Sequence, residues 1–280
     1  MTVNEQAADA INVQKIAKRS ASASKFLKAS LLVFSIFVYI FLYGPLITMI
    51  MMSFNNSKVQ GLPIVGLTTR WYIELFQDHE LWIALFRSFI VSIGSVVIAI
   101  IVGLSSAFLL NRYNFLGKQL YKSIILFPLI IPGVILGIAL LSTFNMLGIK
   151  ASLITVMIGH STFVIPLIVF LLLNRLDRMD PNMEHASLDL GANRFQTFRR
   201  ITLPLIGTAL LGGALLGFTL SFDEIILTYF LIGPRATLPV KIYQMIRIGF
   251  TPEINAIFTI LLCFTLFLLV LSTKIILKKK

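Results

Sequence analysis

Leu203 to Phe222 is a run of twenty residues without one charged side chain. A hydrocarbon core about 30 Å thick takes roughly 20 mostly apolar residues of α-helix, so this run alone narrows the chain to few folds. Comparable apolar stretches give expected spans at 30–54, 85–110, 121–144, 151–174, 203–231 and 255–277. A membrane barrel would instead show alternating segments of about ten residues. Composition agrees, with 57% of the 280 residues hydrophobic and 13% charged, against roughly 25% charged in a soluble domain. The expected fold class is all-α, a polytopic membrane protein with six transmembrane helices.

A net charge of +12 could serve nucleic acid, but its distribution gives a topology instead. With a cytoplasmic N-terminus, Lys15, Lys18, Arg19, Lys25 and Lys28 precede the first span, and Arg112, Lys118 and Lys122 join the second to the third. Arg175, Arg178, Arg194, Arg199 and Arg200 join the fourth to the fifth, and Lys274 with Lys278 to Lys280 close the chain. That places 17 of 24 basic residues on one side, as the positive-inside rule asks. Both termini are expected to be cytoplasmic, with a tail over 1–29, a transmembrane domain over 30–277 and an end segment over 278–280. The basic first 28 residues are too long and too charged for a signal-peptide n-region, so the first span is expected to be retained. The single Cys263 can form no intrachain disulfide and reads as a packing residue.

The third span carries Pro128 and Pro132 and the fourth carries Pro166. Proline removes a helix hydrogen bond and bends the helix, which in a membrane suits either an internal path or ordinary kinks in a packed bundle. The outside segment around "TTRWYIELFQDHELW" reads as one or two short helices at the membrane surface, with Trp71 among its aromatic residues. Gly213, Gly217 and Ser221 form a stripe of small residues that lets a neighbouring helix approach closely. Just beyond it stand two adjacent carboxylates, Asp223 and Glu224. Two placements are open: at membrane depth they are candidates for a polar path, whereas a helix ending near Phe222 puts them at the outer interface, within reach of Arg235 or Lys241. Helical spacing turns Glu224 toward the stripe and Asp223 about 100° away, which makes Asp223 the first candidate to meet a solute.

The inner segment 178–204 contains "MDPNMEHASLDLGANRFQTFRRITLPLI". Asp180 can cap a helix that has Pro181 at its first position and Glu184 in its first turn. Gly191 can take positive φ and end that helix, and Ala192 to Ile201 form a second one, ended by Leu203 and Pro204. The result is a helix-turn-helix offered to something soluble.

Glu184, Ala186, Gly191, Ile201, Leu203 and Pro204 stand where the EAA loop of ABC-type import permeases has its signature, with His185 replacing the first alanine of the usual pair. "GHSTFVIP", "SFDEI", "LPVKIYQMIRIGFTPEINA" and "TTRWYIELF" further resemble the C-type permease subunits of spermidine/putrescine importers. At Gly133 such permeases often carry an acidic residue, and at Arg194 they can again be acidic. The resemblance implies a type I importer permease fold in a bacterial inner membrane. It also implies a second permease subunit that is a different chain, two ATP-binding cassette subunits and a substrate-binding protein. ATP and Mg would belong to the ATPase chains, and this chain would bind no cofactor and no metal. Glu184, His185, Ala186, Ser187, Asp189, Gly191 and Pro204 would couple to the ATPase, Glu184 by meeting a basic residue there and Ala186 and Ser187 by leaving room for close packing. Trp71, Ser221, Asp223 and Glu224 would line the path of an amine-bearing solute: a polyamine, an opine, a sugar-amine conjugate or an aminophosphonate.

The chain lacks a G-x-x-x-x-G-K-[ST] phosphate loop, because "LGKQ" at Gly117 has neither the first glycine nor the Ser or Thr. His79, His160 and His185 lie far apart, and His160 reads as a hydrogen-bonded packing residue. No enzyme is expected in this subunit. An ATP-independent secondary transporter or channel fits six bent helices equally well, but has no need of the Glu184-to-Pro204 pattern.

Overall fold

The computed structural model describes the backbone of residues 3–57, 61, 64–180, 182–249 and 251–278, and side chains within residues 27–267 of those ranges. Pro181, and the side chains of Lys15, Lys18, Arg19, Lys25, Lys274 and Lys278 to Lys280, lie outside the described residues. Among the described residues the regular structure is helical, apart from an isolated bridge between Asn55 and Leu67. The helices are α1 Val3–Ser53, α2 Arg70–Gln77, α3 His79–Arg112, α4 Lys118–Leu126, α5 Gly133–Met146 and α6 Leu153–Leu176. They continue with α7 Asn182–Asp189, α8 Arg194–Thr197, α9 Leu203–Phe222, α10 Ile226–Leu231, α11 Leu238–Ile248 and α12 Pro252–Lys278.

Four of the described segments are long and apolar enough to cross a bilayer: Leu27–Ser53, His79–Arg112, Leu153–Leu176 and Arg194–Phe222. The expected third span is a bent pair, Lys118–Leu129 and Gly133–Met146, turned by 106°. The prolines explain the break. Pro128 sits in a short 3-10 turn over Phe127–Leu129 and Pro132 is the N-cap of α5, so neither donates the backbone N–H that a continuous helix requires. Pro166 lies inside α6, which runs unbroken past it. Pro252–Phe267 is a shorter apolar segment. The expected span 203–231 ends early, because α9 stops at Phe222 and α10 begins only at Ile226.

The chain divides into two compact units. One comprises residues 1–75 with 250–280, and in it α1 packs on α12. The loop after α1 is built around Asn55, whose side-chain oxygen accepts from the backbone N–H groups of Ser57 and Val65 at 3.2 Å each. Trp71 closes this unit: it is 3% exposed and its indole N–H donates to Asn55 O at 2.7 Å.

The other unit, 76–249, is organised by α3, α6 and α9. Asp78 starts α3 by accepting from Leu81 N. Val96, Ala99, Val164, Ile168, Leu172 and Ile206 are among the buried residues of its main core. The small-residue stripe of α9 is buried as its spacing suggests: a Cβ on Gly217 would lie 2.5 Å from Val164 Cγ1, so α9 and α6 meet at a distance only glycine permits. A second cluster gathers Val91, Phe144, Val156, Leu227, Leu231 and Ile232 around α10.

Candidate functional site

Two places in the second unit gather the residues singled out by sequence. The first is the loop 178–204. α7 begins after Asp180, whose carboxylate accepts from Asn182 N at 3.0 Å. It ends at Gly191, with φ +86°; Ala192 N donates to Ser187 O and Gly191 N to Leu188 O, the paired bonds of a Schellman stop that needs a left-handed residue. α8 begins with a capping box, in which Asn193 Oδ1 accepts from Gln196 N and Gln196 Oε1 from Asn193 N. Ser187 and Thr197 hydroxyls join the two helices at 3.0 Å.

The expected end of the second helix at Leu203 and Pro204 does not occur. α8 passes through a π-helical turn over Phe198–Thr202 straight into α9. Pro204 lacks the N–H that Arg200 O would otherwise receive, and the wider turn accommodates the loss, with Leu203 N reaching back to Phe198 O. A displacement of the loop therefore bears directly on α9.

Glu184, expected from sequence to meet a basic residue of a partner, has partners within the chain. Its Oε1 accepts from Arg112 Nη2 at the end of α3 and from Thr202 Oγ1 at 2.6 Å in the π turn. Glu184 and Ser187 are half-buried against the chain's own helices, whereas His185, Ala186 and Asp189 are exposed on the outer side of α7. Leu190 and Phe195 are also exposed, at 89% and 69%. Arg112, Glu184, Leu188, Arg194 and Thr202 are among the residues around a cavity of about 360 Å³ behind α7. Asn111 to Asp177 and Arg175 to Leu205 O fasten the neighbouring helix ends.

The second place is the break between α9 and α10. Asp223 is the C-cap of α9; its side chain is exposed and makes no described hydrogen bond or ion pair. Glu224 folds back, its Oε1 accepting from the backbone N–H of Ile226 at 2.8 Å and of Leu227 at 3.0 Å. One carboxylate thus builds the turn and the other is left outward. Arg235 and Lys241, considered from sequence as partners for the pair, form no described ion pair with it. Ser221 is 3% exposed and bonds His160 Nδ1 at 2.7 Å, so it faces α6 rather than open space. Beside the turn, Ile225, Ile226, Tyr229, Phe230, Tyr243 and Arg247 line a cavity of about 330 Å³, with the Arg247 guanidinium 5.8 Å from the Tyr243 ring centre. Trp71 belongs to the other unit and is a core residue there.

Sequence reasoning did not find Arg112, Thr202, Thr228 or the Tyr229–Tyr243 pair. Their relations to Glu184, His160 and one another join positions far apart in the chain, which helical spacing cannot register.

Residues 95–278 match the family described as binding-protein-dependent transport system inner membrane component. The spermidine/putrescine transport system permease protein PotC of Escherichia coli strain K12 is 36% identical over 236 residues, covering 84% of this chain and 89% of the relative. The chain belongs to this permease family. The permease is also 36% identical over 232 residues to the putrescine transport system permease protein PotI of the same organism, covering 80% of this chain and 82% of the relative. Among solved structures, a bacterial ABC transporter involved in import of the acidic polysaccharide alginate superposes with a TM-score of 0.72 at 18% identity, covering 90% of this chain and 97% of that one. The MetNI methionine ABC transporter gives 0.56 at 18% identity, covering 75% and 97%. The permease therefore has the ABC importer permease fold.

Proposed function

We propose that this permease is a subunit of an ATP-driven importer and forms, by alternating access, the translocation path for a polyamine or related amine-bearing solute. Six spans cross the inner membrane in this reading: the four long helices, the bent α4–α5 pair and α12, with both termini cytoplasmic. The basic residues flanking the spans support that orientation. A second, non-identical permease chain completes the path, a binding protein delivers the solute, and two ATPase subunits hold ATP and Mg. The absence of a phosphate loop from this sequence supports the separate ATPase.

The observation that carries the substrate reading is the division of labour at the α9–α10 break. Glu224 is committed to two backbone N–H groups, while exposed Asp223 keeps its full acceptor capacity for a cation. Tyr243 already has the Arg247 guanidinium over its ring, which leaves exposed Tyr229 at the same cavity as the ring for an ammonium, an attraction of about 0.5 to 2 kcal/mol. The polyamine class also agrees with what the named relatives transport.

At the other end, the exposed side of α7 with His185, Ala186 and Asp189 is the surface presented to the ATPase, Glu184 holds α7 from behind, and the continuous α8–α9 helix carries ATPase movement into the membrane. The test is uptake of labelled putrescine and spermidine by the reconstituted importer. Asp223→Asn is expected to raise the half-saturating concentration about tenfold, the weight of one charge-assisted contact. Unchanged uptake and unchanged substrate preference in both Asp223→Asn and Glu224→Gln would refute the path assignment.

A further inference from the structure

His160 is 1% exposed and projects from α6 into the break between α9 and α10. Its Nδ1 is 2.7 Å from Ser221 Oγ, in the last turn of α9. Its Nε2 is 2.9 Å from Thr228 Oγ1, in the first turn of α10. Thr228 spends its one hydroxyl proton on Glu224 O at 2.9 Å, so it can only accept from the ring. Nε2 therefore carries a proton and donates to Thr228, which leaves Nδ1 to accept from the Ser221 hydroxyl. The bonds form a directed chain: Ser221 to His160, His160 to Thr228, Thr228 to the Glu224 carbonyl.

This chain begins on one helix and ends on the next, and all the interruption lies between its ends. Ser221 is 3% exposed and Thr228 fully buried, so water has no access to replace either bond, and each loss leaves a buried polar group unsatisfied. A side chain present only to fill space, as the Phe163 ring 5.7 Å away does, would fix neither the width of the break nor its rotation. Glu224 is anchored twice, through its carbonyl by this chain and through its carboxylate by Ile226 and Leu227. With residue 224 held, the backbone on the C-terminal side of Asp223 is fixed, and its side chain is exposed.

We propose that His160 is a positioning residue for substrate transfer: by joining Ser221 to Thr228 across the α9–α10 break, it sets the direction in which Asp223 is presented. The transport consequence rests on the reading of Asp223 as a substrate contact; the geometric consequence does not. Both are measured in the assembled importer. Cys263 is the one cysteine of the chain, so in a Cys263→Ser background Asp223→Cys is the single thiol of this subunit, and its labelling by a membrane-impermeant maleimide is read on this subunit's band.

His160→Phe is expected to change that labelling rate at least about fivefold and, with Asp223 intact, to raise the half-saturating putrescine concentration about tenfold while maximal uptake stays within about twofold, the scale of losing buried hydrogen bonds. His160→Gln, which returns an N–H toward Thr228, is expected to recover most of the labelling rate. Should His160→Phe not assemble, Ser221→Ala removes the first bond of the chain and Thr228→Val the last two, and both are expected to shift the labelling in the same sense. Equal labelling with and without these substitutions overturns the positioning role. If labelling shifts but Asp223→Asn transports normally, His160 positions the turn and the substrate reading of Asp223 is what fails.

Discussion

Neighbouring carboxylates in an apolar context take opposite roles here because of what each can reach. Glu224 has one more methylene than its neighbour and meets two backbone donors ahead of it, at Ile226 and Leu227. Asp223, at the end of α9, meets none. Glu224→Ala should therefore cost stability, about 1 kcal/mol as for a lost helix cap, read as a lower thermal midpoint in detergent. Asp223→Ala should leave that midpoint unchanged and impair uptake. Gly191 is a second residue whose chemistry is fixed by geometry. At φ +86° a side chain is strained by about 1 to 2 kcal/mol, so Gly191→Val should loosen the end of α7 and reduce co-purification of the ATPase together with transport. Gly191 was legible in the sequence, since a helical pattern followed by glycine and then a second pattern has few other readings. The split between Asp223 and Glu224 was legible only as a difference in facing, because the bonds that separate them depend on where α9 stops.

Among the elements, the apolar runs located the helices well and their ends poorly. Residues 203–231 read as one span because nothing between Leu203 and Leu231 except the two carboxylates interrupts the apolar pattern. The interruption is built by Glu224, whose carboxylate takes the N–H groups of Ile226 and Leu227, and is bridged by His160 from another helix, a tertiary contact that periodicity does not carry. The bend near Pro132 was legible because proline acts through its own backbone, and the π turn before Pro204 was missed because proline there adjusts a helix instead of ending it. The glycine stripe was legible as close packing, and it separates two substitutions of the same kind. Gly217→Ala puts a Cβ 2.5 Å from Val164 and should destabilise the α6–α9 contact by about 1 to 3 kcal/mol. Gly212→Ala, with open space at that position, should be neutral or stabilising by up to about 1 kcal/mol. Thermal unfolding of the two variants in parallel reads the difference in sign.

At the scale of the whole molecule, the loop 178–204 and the α9–α10 break are the two ends of one helical path, with α8, the π turn and α9 continuous between them. Glu184 joins the loop to α3 through Arg112 and to that path through Thr202, so movement of α7 reaches both helices at once. Arg112→Ala should leave ATPase binding to the exposed side of α7 in place while lowering uptake per ATP hydrolysed, which simultaneous assays of both quantities would register. In the proposed mechanism this path couples an external ATPase to import. Its most direct test is labelled spermidine uptake by proteoliposomes that contain the permease, its partner permease, the ATPase and the binding protein. Accumulation is expected to require ATP hydrolysis and to fall with Gly191→Val and Asp223→Asn. Equal accumulation without the ATPase would contradict it.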